Sequence, residues 1–194
     1  PEGRGRTPRG RLALSLAALV AVAELLLLAT YEIPLWARRS AELPDDVAVT
    51  RVRVVGEQFV WNVHYPGPDG VFGPTAIERM EAATNPLGLD YDDPAAQDDL
   101  VLVNQLHVPV DRPVEVVLSA KDVIHSFYLP FMRVKQDAIP GQAIRVHFTP
   151  TVTGRSEIAC AELCGLGHAR MRGFLVVQSA EQYESWYREE LEYQ

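Results

Sequence analysis

The chain has 194 residues, of which 47% are hydrophobic and 23% are charged. This length suits about one domain, and the composition excludes a disordered tail or a fibrous repeat. The formal net charge of −8 argues against a polyanionic partner, so we expect no nucleic-acid binding. The charge is uneven, because residues 1–11 contain four arginines and one glutamate, whereas the acidic excess follows residue 40.

An apolar segment at residues 12–37 contains only two charged side chains, Glu24 and Glu32. About 20 helical residues cross the roughly 30 Å apolar core of a bilayer, so the segment predicts a transmembrane helix. A secretory signal peptide is the alternative, but the run is long for one and no small-x-small cleavage site precedes Arg38. The arginines of residues 1–11 predict a cytoplasmic arm and place the body on the outer side. Glu24 lies near mid-span, where it serves either a proton path or a packing hydrogen bond.

After a short linker at residues 38–46, the pattern changes to short alternating or β-branched runs. Many short strands with non-helical connections indicate an all-β fold over residues 47–179, an antiparallel sandwich with Greek-key links. The predicted strands lie at residues 47–55, 58–65, 100–106, 113–120, 144–149, 157–159 and 173–178. A C-terminal helix is predicted at residues 180–194, with Ser179 as its N-cap and Gln182 three residues later.

A long insert at residues 66–99 interrupts the strand pattern and is rich in proline, glycine and aspartate. A connection of this length is usually functional or partly disordered. It is either a solvated acidic loop or a docking surface. Its densest negative patch, the candidate docking rim, consists of Asp90, Asp92, Asp93, Asp98 and Asp99.

The sequence C-A-E-L-C-G-L-G-H-A-R-M at residues 160–171 gathers two thiols, an imidazole and a thioether in one loop. Soft sulfur donors together with imidazole suit copper, and a weak methionine donor indicates copper that transfers electrons rather than zinc that supports a fold. Gly165 and Gly167 allow the backbone to fold around one point. A structural zinc site, a simple disulfide and a cysteine–histidine nucleophile are the alternatives. The first two leave Met171 without a role.

A second ligand candidate is His125, in the sequence D-V-I-H-S-F at residues 122–127. It lies just after a predicted strand, so its side chain can project from one end of the sandwich toward the cysteine loop. No motif surrounds His64, His107 or His147, and we expect these histidines to be structural.

These segments resemble subunit II of the haem-copper cytochrome c oxidases, whose external domain is a cupredoxin sandwich holding the binuclear copper centre called CuA. The cysteine loop matches the family pattern C-x-E-x-C-G-x-x-H-x-x-M at every specified position. Residues 122–127 resemble its D-V-x-H-S-aromatic segment and residues 135–141 its K-x-D-A-I-P-G turn. Residues 56–61 resemble the aromatic segment that follows its last membrane helix. The likeness runs from the apolar span to Val177.

The resemblance implies a cofactor of two copper ions. The implied ligands are His125, Cys160, Glu162, Cys164, His168 and Met171. The two cysteines would bridge both ions, and one copper would add His125 and Met171. The other would add His168 and the backbone carbonyl of Glu162. The carboxylate of Glu162 is implied to bind magnesium at the contact with the catalytic subunit, and a hard oxygen donor suits that ion.

The function implied by the resemblance is electron entry from a c-type cytochrome, followed by transfer to haem in the catalytic subunit I, which reduces oxygen to water. Trp61 is the candidate relay, and Phe59, where the family commonly has tryptophan, is the weaker one. The implied partners are the other oxidase subunits, the cytochrome, the membrane and a larger respiratory supercomplex. The implied location is a prokaryotic plasma membrane, with a single visible span where the family usually has two and the copper domain on the periplasmic face.

Three other functions compete with this one. A nitrous oxide reductase-type CuA domain would come with a large catalytic domain. A quinol oxidase subunit II would keep the sandwich but lose the copper ligands, all of which are present here. A membrane-anchored copper chaperone would bind through Met- and Cys-rich surfaces, whereas three methionines and two cysteines supply one site only.

Overall fold

The computed structural model describes residues 8–40, 43 and 48–193 of the chain. The chain divides into two compact units, residues 1–44 and residues 45–194. Most of the predicted cytoplasmic arm, most of the linker and the last residue of the predicted C-terminal helix lie outside the described residues.

The first unit contains an apolar helix at the predicted span. Helix α1 (Pro8–Leu27) continues through a π-helical turn (Leu28–Glu32) into helix α2 (Ile33–Ser40). The stretch Pro8–Ala37 is long and apolar enough to cross a membrane. The π-helical turn directly precedes the turn that contains Pro34, whose missing N–H cannot complete an α-helical hydrogen bond. The chain therefore adjusts its helical pitch at this point without ending the helix.

The second unit, as far as the structure describes it, is a sandwich of ten strands. They are β1 (Thr50–Glu57), β2 (Val60–Tyr65), β3 (Leu100–Val103), β4 (Gln105–Pro109), β5 (Val114–Ala120), β6 (His125–Leu129), β7 (Val134–Ala138), β8 (Ile144–Phe148), β9 (Gly154–Cys160) and β10 (Arg172–Gln178). One five-stranded sheet has the order β3-β2-β1-β5-β8, and the other has the order β4-β10-β9-β6-β7.

Alternation along each strand builds the core between the two sheets. Val52 and Val54 of β1 are buried, as are Val116 and Leu118 of β5, while the residues between them are at least partly exposed. Each such apolar side chain contributes about 1.5–3 kcal/mol when it is fully removed from water. This packing makes the sandwich a firm support for the loops at its ends.

The all-β sandwich fold is confirmed, but the expectation of an antiparallel sandwich is wrong for two strand pairs. Strand β1 pairs in parallel with β5, and β4 pairs in parallel with β10. Parallel neighbours are joined by long crossover connections. The hydrophobic alternation identifies the strands but carries no information on which of them become neighbours in this way.

The predicted strand at residues 100–106 is two strands that belong to different sheets. Asn104, between β3 and β4, has a φ of 60°, in the left-handed region. Its side-chain Oδ1 accepts the backbone N–H of Trp61 at 2.8 Å, and its own N–H donates to the Trp61 carbonyl at 2.7 Å. These bonds turn the chain from one sheet to the other. The strands β6 and β7 were not predicted, and β9 is longer than the predicted residues 157–159.

The insert at residues 66–99 is anchored by a buried carboxylate. Asp99 is 1% exposed and lies 2.6 Å from Nε2 of His64. Its two oxygens also accept the backbone N–H groups of Gly67 at 3.0 Å and Gly73 at 2.7 Å. His64 therefore has the structural role expected for it. A solvated loop does not describe this part of the insert, because a buried charge needs fixed partners.

The C-terminal helix α3 (Ala180–Glu192) begins at the predicted cap. Ser179 Oγ accepts the backbone N–H of Gln182, and the Gln182 side chain accepts the N–H of Ser179, which completes a capping box. The helix packs on the sandwich through Trp186, whose ring stacks on His107 with centroids 4.0 Å apart. His107 is thus held in the structure as expected.

Candidate metal centre

The segments that carry the predicted ligands meet at one end of the sandwich. His125 is the first residue of β6, and Cys160 is the last residue of β9. The two strands are antiparallel neighbours with Phe127 opposite Cys160. Met171 directly precedes β10, which pairs with β9. The sheet therefore brings together residues that are far apart in sequence.

The donor atoms gather around the two sulfurs. Cys160 Sγ lies 3.8 Å from Cys164 Sγ, 3.9 Å from His125 Nδ1 and 3.3 Å from the carbonyl oxygen of Glu162. Cys164 Sγ lies 3.7 Å from His168 Nδ1 and 3.7 Å from Met171 Sδ. All six predicted donors are thus assembled. The ligand atoms of His125, Cys160 and Cys164 lie within 4.8 Å of one another.

The loop closes on itself through short backbone hydrogen bonds. The N–H of His168 donates to the Gly165 carbonyl at 3.1 Å, and the N–H of Met171 donates to the His168 carbonyl at 3.1 Å. A single 3₁₀ turn at His168–Arg170 results. This turn brings the imidazole and the thioether back toward the sulfur of Cys164.

Close contacts with Gln58 and Phe59 leave no room for a side chain at Gly165 or Gly167. A Cβ atom on Gly167 would lie 2.3 Å from Phe59 Cδ2, and one on Gly165 would lie 2.6 Å from Nε2 of Gln58. Gly165 also has a φ of 141°, which residues with a side chain rarely adopt. The loop backbone therefore lies directly against the turn between β1 and β2.

Asp122 orients the imidazole of His125. Its Oδ1 lies 2.9 Å from His125 Nε2 and accepts the N–H of Val123 at 2.7 Å, and its Oδ2 accepts the N–H of Gln58 at 2.8 Å. Burial alone would raise the pKa of Asp122, but its hydrogen bonds with His125, Gln58 and Val123 outweigh that effect and lower it. The carboxylate leaves Nδ1 of His125 directed at the sulfur of Cys160, as a metal-binding histidine requires.

The surroundings of Cys164 favour its protonated thiol form. Burial raises the pKa of the Cys164 thiol to about 11, and the hydrogen bond and charge of Cys160 add to the shift. Both cysteines are free thiols in the structure. A metal binds the thiolate form, so binding at this site releases protons.

The donor chemistry fits copper. Two thiol sulfurs, a thioether and two imidazole nitrogens are soft or borderline donors, a backbone carbonyl adds one harder oxygen, and a buried thioether is the weak ligand typical of electron-transfer copper. A structural zinc site would use four strong donors and would leave the thioether of Met171 idle. The carbonyl of Glu162 faces the sulfur of Cys160 while its side chain is exposed to solvent.

The two candidate relay residues occupy different depths. Trp61 is 0% exposed, and its ring meets those of His125 and Phe127 edge-on, with centroids 5.9 Å and 5.4 Å away. Trp61 therefore fills the core beneath the centre and cannot itself touch a donor protein. Phe59 is half-buried and lies against the cysteine loop.

The acidic patch predicted for docking lies away from the candidate ligands, and one of its five members is buried. The insert leaves β2 at Tyr65 and returns at Leu100, while the ligands lie near Trp61, four residues or about 13 Å along the strand. Asp99 does not belong to the surface, because it is buried against His64. The other four members are at least partly exposed. Asp90 and Asp92 form ion pairs with Arg79. Asp93 caps a 3₁₀ turn, and Asp98 accepts the backbone N–H of Asp69.

Sequence reasoning missed two supports of the site and one surface feature. Gln58 and Asp122 lie within the matched segments, but neither is a ligand, so only the folded contacts show their roles. Leu163, 84% exposed, and Leu166, fully exposed, stand out from the cysteine loop. Two leucines between candidate metal ligands, in a loop at the end of a sandwich, are the signal in the sequence that indicates an apolar contact surface.

The fold and the donor set define a cupredoxin-like domain with a copper-type centre. The family model described as "Cytochrome C oxidase subunit II, periplasmic domain" matches residues 50–180. The alternative cytochrome c oxidase subunit 2 of Bradyrhizobium diazoefficiens is 40% identical over 138 residues, which are 71% of this chain and 50% of that protein. The chain belongs to the cytochrome c oxidase subunit II family. It spans half the length of that relative.

The chain is similar to solved structures of subunit II domains, among them the following two. The periplasmic domain of subunit II of cytochrome oxidase from Bradyrhizobium japonicum has a TM-score of 0.55 and 30% identity, and the match covers 74% of this chain and 94% of that one. A mixed disulfide intermediate between a thioredoxin-like protein and subunit II of cytochrome c oxidase has a TM-score of 0.51 and 30% identity. That match covers 77% of this chain and 95% of that one.

Proposed function

We propose that this chain is the electron-entry subunit of a cytochrome c oxidase, accepting electrons from a c-type cytochrome at a binuclear copper centre. It would pass them to haem in the catalytic subunit, where oxygen is reduced to water. The observation that carries the proposal is the convergence of six copper-type donors at one end of the domain. Family membership supports the same assignment.

The grouping of the donors supports two copper ions rather than one. Each sulfur has its own imidazole nitrogen, at 3.9 and 3.7 Å, and one weak donor, at 3.3 and 3.7 Å. A single four-coordinate ion bound by both sulfurs would leave one imidazole and one weak donor unused. Two copper ions bound by this set supply one-electron transfer. The chain itself holds the donors in place, through Asp122 at one imidazole and Phe59 beneath the loop, so that they move little.

The side chain of Glu162 is a candidate ligand for a second metal site, which would be shared with another chain and would bind a hard cation. Its carboxylate is exposed while its carbonyl faces the sulfur of Cys160. We propose that this carboxylate binds magnesium at the contact with the catalytic subunit, because magnesium prefers oxygen donors and takes few of them from one chain. The side chain of one residue would then mark the surface directly next to the copper ligands.

We propose that the donor cytochrome contacts the copper end and is steered there by the acidic body. Leu163 and Leu166 offer an apolar contact close to the ligands. Asp90, Asp92, Asp93 and Asp98 contribute to the long-range field, which attracts the lysines that a c-type cytochrome presents around its haem edge. Phe59 would be the outer and Trp61 the inner residue of the electron relay.

A thioredoxin-like partner is proposed for the thiols before copper binds. The two sulfurs lie 3.8 Å apart and need only a small movement to form a disulfide bond of about 2.05 Å. The outer compartment is oxidising, and a disulfide cannot bind copper. A dithiol protein would reduce it, becoming oxidised itself. The half-buried Cys160 is the accessible member of the pair and would form the mixed disulfide.

The proposed location is a prokaryotic plasma membrane, with the helix at Pro8–Ala37 as an anchor and the sandwich on the periplasmic face. The helix is long enough to cross the bilayer, and the arginine-rich arm supports this orientation. The other oxidase subunits and a respiratory supercomplex are the proposed neighbours in that membrane.

Stopped-flow reduction of the copper-loaded full chain by reduced cytochrome c tests the proposed function. We expect rapid oxidation of the cytochrome, and the absorption of the oxidised copper centre should decrease at the same rate. Cys164→Ser is the matched control, since it removes a buried sulfur and should abolish the fast phase. If the copper-loaded chain leaves reduced cytochrome c unchanged, electron entry is not its function.

A further inference from the structure

The turn between β1 and β2 contacts both segments that carry metal ligands. The side chain of Gln58 donates from Nε2 to the carbonyl oxygen of Cys164 at 2.5 Å. The backbone N–H of the same residue donates to Oδ2 of Asp122 at 2.8 Å. One residue outside the ligand set therefore binds the cysteine loop on one side and the connection between β5 and β6 on the other.

These contacts form a continuous chain between two ligands. The second oxygen of Asp122 lies 2.9 Å from His125 Nε2. The path therefore runs from the Cys164 carbonyl through Gln58 and Asp122 to the imidazole of His125. Cys164 and His125 are 39 positions apart in the sequence, and the ring of Phe59, in the same turn as Gln58, also lies against the cysteine loop.

The loop is shaped to receive this amide. Gly165 follows the accepting carbonyl, and a Cβ atom there would lie 2.6 Å from Nε2 of Gln58. A side chain at that position would push the amide away. The accepting residue is itself largely buried, with Cys164 4% exposed. A hydrogen bond to a main-chain group of a buried ligand limits the positions that the ligand can take.

We propose that Gln58 is a positioning residue of the metal centre. It fixes the main chain of Cys164 relative to His125, so that the thiol and the imidazole have their relative placement before a metal binds. The inference rests on the proposed copper site for its effect on copper, but the loop restraint itself exists without metal.

The test compares Gln58→Ala and Gln58→Glu in the full chain in detergent. Glutamate keeps the size of glutamine but loses the amide donor. Gln142→Ala is the control, because Gln142 is an exposed glutamine in the turn between β7 and β8. Hydrogen exchange of the metal-free proteins is measured at the backbone amides of His168, Arg170 and Met171, which close the loop. Copper affinity by chelator competition, the reduction potential and the copper hyperfine splitting are measured on the loaded proteins.

Both Gln58 variants should exchange these amides faster than wild type and bind copper about 10–100-fold more weakly, with an altered hyperfine splitting and potential. Gln142→Ala should match wild type in every measurement. Wild-type exchange rates in both Gln58 variants would overturn the proposal, whatever the copper result. If the Gln58 variants exchange faster but the wild-type protein binds no copper, the restraint is supported and the proposed function is rejected.

Discussion

The contact between Phe59 and the cysteine loop predicts an unusual result for Gly167→Ala. Gly167 has φ −90° and ψ 4°, values at which alanine suffers no left-handed strain. At such a site alanine normally stabilises a protein by about 0.4–1 kcal/mol, because it restricts the unfolded chain. Here the new Cβ atom would lie 2.3 Å from Phe59 Cδ2. Overpacking of this kind costs about 1–3 kcal/mol. We therefore expect Gly167→Ala to lower the free energy of unfolding by about 1–2 kcal/mol.

Removal of the ring should reverse the sign of that effect. In a Phe59→Ala background, the added methyl group meets no ring, so the same substitution should stabilise the sandwich by about 0.4–1 kcal/mol. The assay is chemical unfolding of the four metal-free proteins in detergent, followed by near-ultraviolet circular dichroism. The double-mutant cycle isolates the coupling between the two positions. If Gly167→Ala stabilises the protein in both backgrounds, the ring does not pack on the loop.

Four further predictions concern the insert, the C-terminal helix, the docking of the donor and the electron relay. Asp99→Asn should destabilise the protein by about 3–5 kcal/mol, because it removes the charge beside His64 and turns an amide donor toward a backbone N–H. Asp98→Asn is its partly exposed control, and equal effects in chemical unfolding would refute the reasoning. Burial raises the pKa of Tyr187 from 10.0 to about 12, with nearby carboxylates adding to the shift. The stability that the protonated Tyr187 side chain contributes is therefore complete below pH 10 and is lost as the pH rises toward 12. Tyr187→Phe should reduce the fall in the free energy of unfolding over this pH range, and an unchanged pH dependence would contradict the shift. Neutralising the four surface aspartates should lower the bimolecular rate with cytochrome c and weaken its salt dependence. Trp61→Phe should slow transfer with the copper spectrum intact, and an unchanged rate in stopped flow would reject the relay.

The candidate donors could be identified from the sequence because they lie close together in it. Five of the six predicted donors lie in one loop of twelve residues, and His125 lies in a short motif of its own. The cap at Ser179 and the apolar helix were likewise predictable, since capping and span length depend on neighbouring residues. The structure confirms the cap at Ser179 and the apolar helix, and it brings the candidate donors together.

The errors arise where distant contacts decide the structure. The parallel pairing of β1 with β5 depends on the path of the whole chain, which strand alternation does not reveal. The split at Asn104 depends on its hydrogen bonds with Trp61. Asp99 belongs to an acidic run in the sequence, yet its partners Gly67 and His64 lie 32 and 35 positions away. Gln58 acts on a loop 106 positions away.

The proposed function requires that the chain bind two copper ions that share one electron. Electron paramagnetic resonance of the copper-loaded full chain can detect this sharing. We expect hyperfine coupling to two equivalent copper nuclei, which Cys160→Ser or Cys164→Ser should abolish, whereas Met171→Leu should retain it with a changed potential. The hyperfine pattern of a single copper nucleus, or zinc in place of copper on elemental analysis, would contradict the claim.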